Sequence, residues 1–225
     1  MLVDAARGFL DKSAPVKAFR DLRDAGKTYD AKMWKEMAAM GWAGVLVPES
    51  AGGVDMGHAA AGILAQEMGK TLAVSPFLST AVIAATALRN VSDARAEAAL
   101  AKIASGDATY ALAVDETSKF DPNATAMVAT SEGNGFRLTG KKTFVVDGAL
   151  ADRLLVLAKT DNGLTLFDIP ADRAGITRNA QNMIDARDSA RIDFDNVEAT
   201  GDDVLGQVDD AMTVLKPAIE AGQAA

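Results

Sequence analysis

The chain has 225 residues, no cysteine and a single histidine, His58. Without cysteine it cannot form a disulfide, a cysteine-ligated zinc site, an iron–sulfur cluster or a thiol nucleophile. One imidazole also argues against a histidine-based zinc site or a Ser-His-Asp triad. His58 follows Gly57 and opens an apolar helical pattern, so it reads as a helix-start residue. Demanding chemistry must then come from carboxylates or from a cofactor. Glu67 shares a helical face with Ile63 and Leu64, where a buried base could sit. A boundary glutamate that pairs with a neighbouring domain is the better reading. Gly133-Asn134-Gly135 is glycine-rich, but it falls between two strand patterns. A nucleotide loop would lie between a strand and a helix, so a hairpin turn is expected instead.

The formal net charge is −8. Phosphate binding needs a basic footprint, so a nucleic-acid partner is not expected. No basic leader opens the sequence, and the longest apolar stretch, Phe77–Leu88, is interrupted by Ser79, Thr80 and Thr86. It is too short to span a bilayer. A soluble, cytoplasmic protein without a membrane partner or a metal is the expectation.

Two periodicities organise the chain. Residues 1–108 repeat at helical spacing. Met33, Met37 and Met40 share a face beside Trp34, with Asp30 as N-cap. Ala60, Ile63, Leu64 and Met68 mark the next helix. Phe77, Leu78, Ala81, Val82, Ala85 and Leu88 mark a third, with Ser75 as cap and Pro76 at its first position. Ser92 is expected to cap a fourth helix through Leu100 and Ile103. Over 109–207 the period becomes two: strands are expected at 110–114, 126–130, 136–139, 143–146, 154–158, 164–169 and around Ile192 and Phe194. Turn signals at Asn134-Gly135, Asp147-Gly148 and Asp161-Asn162-Gly163 separate them. Residues 208–225 return to a helical pattern through Met212, Leu215 and Ile219. The fold class is therefore α+β and multidomain: an N-terminal helical bundle, an antiparallel β-barrel or sandwich, and the start of a C-terminal helical domain. The last helix would leave its apolar face bare, which predicts poor solubility for the isolated chain.

Several segments resemble acyl-CoA dehydrogenases, in the family's order and over essentially the whole chain. Trp34–Trp42 followed by Gly44–Gly53 is similar to the family's Trp…Gly-Trp and Pro-Glu…Gly-Gly passage, and Ala65–Gly69 to the acidic helix after it. Gly140–Gly148 with Ala151-Asp152 resembles the strand that faces the flavin. Leu166–Ile169, Gly175-Ile176 and Phe194–Val197 complete the middle-domain pattern. The resemblance implies a chain that stops before the C-terminal helical domain, with a fragment favoured over a shortened gene.

The same resemblance implies FAD lying against the β domain, where a flat wall needs an aromatic edge and main-chain donors. Phe144 falls at the family's aromatic position, followed by Val145 and Val146. Leu112, Val114 and Asp115 match the first-strand contacts. Two departures stand out. The segment after Ala113 reads Val-Asp-Glu-Thr-Ser-Lys-Phe-Asp121, where the common form has Thr-Glu-Pro and a Gly-Ser-Asp turn. Val146 replaces a threonine that many relatives place near the flavin N5, a loss worth on the order of 1 kcal/mol. The implied reaction is α,β-dehydrogenation of an acyl-CoA, with an electron-transfer flavoprotein as acceptor and a homo- or hetero-oligomer as the assembly. The catalytic glutamate would lie beyond Ala225, so no catalytic residue is assigned. Arg137, Lys141, Lys142 and Arg153 could meet CoA phosphates, although solvated strand faces explain them equally. The alternatives are a non-catalytic, FAD-poor partner subunit of a heteromeric dehydrogenase, or an acyl-CoA oxidase or flavin monooxygenase of the same fold.

Overall fold

The computed structural model describes every residue of the chain except Ala186. The residues gather into two compact units, Met1–Ala108 with Ala218–Ala225, and Thr109–Pro217.

The first unit is helical. It contains α1 (Leu2–Ser13), α2 (Val16–Asp24), α3 (Ala31–Ala39), α4 (Gly57–Thr71), α5 (Ala85–Arg89) and α6 (Ala94–Ala104), with a π-helical stretch, Phe77–Ala84, running into α5. The Asp30 carboxylate accepts from the Lys32 and Met33 amides and so caps α3. Met33, Trp34 and Met37 are buried, but Met40 is exposed because the helix has ended at Ala39 and Gly41 turns the chain away with φ +81°. Two expected caps are corrected. Helix α6 is capped by Asp93, whose Oδ1 accepts from the Ala96 amide at 2.7 Å. Ser92 sits one residue too early to reach that amide. Pro76 is the N-cap residue before Phe77, and the Ser75 hydroxyl lies 3.9 Å from Met68 Sδ instead of capping. The Pro-Glu…Gly-Gly passage is a tight turn: Gly52 takes φ +79°, and a Cβ on Gly53 would overlap the Val47 carbonyl.

Glu67 also differs from its expected role. Its side chain is buried on α4, and its partners are Lys70 at 2.5 Å and Arg7 of α1 at 3.3 Å, both in the same unit. Packing of α1 against α4 brings the guanidinium over the carboxylate. Hydrogen bonds from Lys70 and Arg7 hold the Glu67 carboxyl below the usual carboxylate range. A base so stabilised in its charged form has little drive to take a proton.

The second unit is a curled, seven-stranded sheet. Its strands are β1 (Tyr110–Ala113), β2 (Val128–Glu132), β3 (Gly135–Val146), β4 (Arg153–Lys159), β5 (Leu164–Pro170), β6 (Ile176–Ala180) and β7 (Ser189–Thr200). The order is β1-β4-β2-β3-β7-β6, with β5 on β4. The sheet is mixed where alternation predicts an antiparallel one: β1 runs parallel to β4, and β2 meets β4 in parallel at Val128↔Lys159. The signature is the run Leu154–Ala158, in which every residue is buried. A strand covered on both faces reads as continuously apolar and loses its period of two. Leu138, Leu154, Val156, Phe167, Ile192 and Val197 lie at the centre of the core. Phe136–Thr139 and Thr143–Val146, expected as two strands, are one long β3 broken by two register shifts against β7. Gly133-Asn134 forms the two-residue turn between β2 and β3.

The last helix, α7 (Ala211–Ala224), buries Ala211, Val214, Leu215, Ala218 and Ala221. Of the face expected to be bare, Leu215 is buried and Met212 and Ile219 are half-buried, so that face is covered only in part. Among the described residues, no helix is long and apolar enough to cross a membrane, and no cluster of His, Asp and Glu could hold a metal ion.

Candidate cofactor site on the β unit

A buried ion pair fixes the foundation of the site. Lys142 on β3 is fully buried, and its Nζ donates to the Val114 carbonyl at 3.1 Å and to Glu116 Oε1 at 2.7 Å. Glu116 also accepts from the Ala126 and Met127 amides at 2.8 and 3.0 Å. Burial raises the Glu116 carboxyl, but the bonds from Lys142, Met127 and Ala126 bring it below the ordinary range. Burial in turn pushes the Lys142 ammonium down. The pair ties the segment after β1 to the middle of β3.

Above it the regular ladder fails. Lys142 faces Ile192 and Val145 faces Ala190, so three steps on β3 match two on β7. This is a β-bulge, which redirects side chains where it occurs. Phe144 supplies the extra residue and adopts φ +51°, a left-handed conformation that is costly for a bulky side chain. Off-ladder acceptors take the freed amides: Thr143 N–H donates to the Asp115 carbonyl at 2.7 Å, and Phe144 N–H to Gln181 Oε1 at 3.1 Å. The bulge inverts the parity of the strand. Leu138 and Lys142 point inward, and a straight continuation would bury Phe144 and Val146 as well. Instead Phe144 is 41% and Val146 37% exposed, while Val145 turns into the core at 1%.

The six residues proposed from sequence thus divide by role. Val114 and Asp115 meet β3 through the Lys142 and Thr143 bonds just described. Phe144 and Val146 offer an aromatic and an aliphatic surface to the outside. Val145 has its side chain in the core, so only its main chain is available. Leu112, half-buried and opposite Leu155 in the β1–β4 register, is fixed by the sheet. Asp115 carries the chemical anomaly: its Oδ1 is buried without a hydrogen-bond partner, and burial raises its carboxyl above the ordinary range.

The four candidate cations are all engaged. Arg153 pairs with Asp168 at 2.7 Å and Lys142 with Glu116, so the solvated-face reading fails for both. Lys141 pairs with Asp193 at 3.4 Å, and Arg137 with Glu132 and Glu198. A cavity of about 680 Å³ lies elsewhere on this unit, at Arg137, Arg173, Gly175 and Asn196, and includes none of the six wall residues.

Sequence reasoning missed Gln181 and Asp188. The Asp188 carbonyl accepts from Asp147 N–H at 3.1 Å, fixing the turn after β3, and burial raises its carboxyl above the ordinary range. Neither residue belongs to an apolar period or a motif, so no local signal marks them. Lys142 was legible in principle, because it lies at even spacing from Leu138 on the inward parity of β3.

The wall can be tested against the FAD that the resemblance implies. An exposed aromatic ring, an adjacent aliphatic surface and an unpaired buried carboxyl oxygen suit a flat group with a polar edge, and these residues fit it.

Comparison with known proteins bears on the fold and the family. Residues 1–107 match the description "Acyl-CoA dehydrogenase, N-terminal domain". The chain is 31% identical to Acyl-CoA dehydrogenase FadE27 of Mycobacterium tuberculosis (strain ATCC 25618 / H37Rv) over 162 residues, 72% of this chain and 42% of that protein. Among solved structures, a chain of the ChsE4-ChsE5 complex from Mycobacterium tuberculosis superposes with a TM-score of 0.87 at 25% identity, over 99% of this chain and 61% of that one. A variant of the Tcur3481-Tcur3483 steroid ACAD gives 0.85 at 28% identity, with coverage of 99% and 61%. The chain spans roughly half the length of the curated relatives that it matches. With matched helices at its start and this fold throughout, the chain belongs to the acyl-CoA dehydrogenase family.

Proposed function

We propose that this chain supplies the flavin-facing wall of an FAD-dependent acyl-CoA dehydrogenase. The observation that carries the reading is the β3 bulge, which turns Phe144 and Val146 outward while the Thr143 amide ties the Asp115 carbonyl to the same strand. In this reading Phe144 and Val146 hold the ring and keep water from it, and Val145 offers main-chain groups. Leu112, Val114 and Asp115 form the second edge. FAD, when bound, supplies the acceptor for the hydride that leaves the acyl β-carbon as a carboxylate removes the α-proton. No residue of this chain is assigned as that carboxylate, and Glu67 is a poor candidate because two cations hold it ionised. An electron-transfer flavoprotein is the proposed electron acceptor. A cytoplasmic location is part of the same proposal.

The test is a visible spectrum of the purified protein, expressed from its full reading frame, before and after anaerobic addition of an acyl-CoA. A flavin band that bleaches supports dehydrogenation. A folded protein that stays colourless with added FAD overturns it.

A second reading is favoured by a specific observation: one of the solved structures described above is that of a complex, ChsE4-ChsE5. The chain would then be one subunit of a heteromeric dehydrogenase, and the departures at Val146 and in the segment after Ala113 would mark its weaker flavin side. Co-expression with a neighbouring dehydrogenase chain, followed by flavin counting per subunit, separates the two readings.

A further inference from the structure

Gln181 follows β6 directly, and its backbone N–H donates to the Ser189 carbonyl at 2.7 Å. It is therefore the last rung between β6 and β7. Its side chain reaches further, to β3, the strand on the far side of β7 in the sheet order. There Oε1 accepts the Phe144 amide at 3.1 Å, with the Ser189 hydroxyl at 3.4 Å. Seven residues on, Asp188 binds the turn that follows Val146. The bulge is thus gripped at Phe144 by Gln181 and beyond Val146 by Asp188.

A phenylalanine holds a left-handed conformation only where its surroundings over-determine it. The ladder of β7 offers no acceptor to the Phe144 amide, and the Gln181 amide oxygen replaces it. We infer that Gln181 is a positioning residue, which sets the outward aim of Phe144 on the proposed flavin wall. The inference rests on the FAD reading above, because it gives the aimed ring its purpose. Without the acceptor, Phe144 gains by returning to extended geometry, which would swing its ring inward and disturb the parity of Val145 and Val146.

The experiment compares wild type, Gln181→Met and Gln181→Glu in the full-length protein. Methionine keeps the length but lacks the acceptor, whereas glutamate retains an acceptor. Hydrogen exchange is read first at the Phe144 amide, in protein stripped of flavin. Faster exchange in Q181M, with Lys142 unchanged and Q181E near wild type, is expected; equal exchange in all three overturns the clasp. The flavin is read second. Q181M should weaken FAD binding about tenfold, the effect of one lost hydrogen bond, and shift the visible band, with both restored in Q181E. Altered exchange with unaltered FAD affinity and spectrum overturns the positioning role. A wild type that binds no FAD overturns the functional reading and the inference with it, while the exchange result still shows whether the clasp exists. Should Q181M fail to fold, Gln181→Asn, which is too short to reach Phe144, takes its place in both measurements.

Discussion

Two ionisable residues within one turn of chain behave in opposite ways. Glu116 is satisfied by an ammonium and two amides, whereas Asp115 has a buried oxygen that nothing meets. Lys142 is the residue on which the first arrangement depends. Removing one partner of a buried pair leaves the other charged and uncompensated, a loss of about 3–5 kcal/mol. Lys142→Met, which keeps most of the volume, is expected to lose stability on that scale in urea denaturation. Asp115 predicts the reverse. Its carboxyl is raised by burial, so its contribution is fully present below the ordinary carboxylate range and is lost as pH rises through its folded value. Asp115→Asn in flavin-free protein should therefore match wild type in acid and melt higher at neutral pH. The gain should be below about 1 kcal/mol, because the carboxyl is only partly buried and solvent screens it. A melting temperature that falls at neutral pH would mean that the carboxylate has a partner the geometry does not reveal.

At the scale of elements, a cap tests how finely sequence can be read. Ser92 and Asp93 are both capping residues, and periodicity alone places a helix start only to within a residue or two. The structure gives the bond to Asp93. Asp93→Ala should cost about 1 kcal/mol in chemical denaturation, and Ser92→Ala close to nothing. The helices, the strand-rich half and the Gly133-Asn134 hairpin were legible because each depends on a local pattern. The unbroken burial of Leu154–Ala158 carried the clue to a mixed sheet, but alternation elsewhere hid it. The β3 bulge was out of reach. Whether Phe144 continues the strand or turns out of it depends on a side chain 37 residues later, at Gln181, and no window of local sequence holds both. The family pattern located Phe144, Val145 and Val146; the bulge explains why the middle one faces the core.

For the whole molecule, the two units differ in how acid acts on them. Every shifted carboxylate of the helical unit, Asp4, Glu67 and Asp107, lies below its ordinary value. Asp4 and Asp107 are exposed and contribute little. Glu67 is buried, so its support is complete at neutral pH and is lost as pH falls through its folded value. The β unit is mixed: Asp115, Asp168 and Asp188 are raised, Glu116 and Asp203 lowered. Both tryptophans, Trp34 and Trp42, belong to the helical unit. Acid titration should therefore move tryptophan fluorescence at a higher pH than the strand signal in circular dichroism. Glu67→Gln should shift the fluorescence transition alone. Coincident transitions in wild type would mean that the units unfold as one.

The neighbouring lysines of β3 have a consequence for covalent chemistry. Lys141 is largely exposed, and Lys142, one residue away, is sealed inside the unit. An amine-reactive acyl donor, including any activated thioester the protein encounters, will find the first and not the second. Modification of Lys142 then records an opening of the β unit, and the ratio of the two acylated peptides is a running clock of how often this wall comes apart.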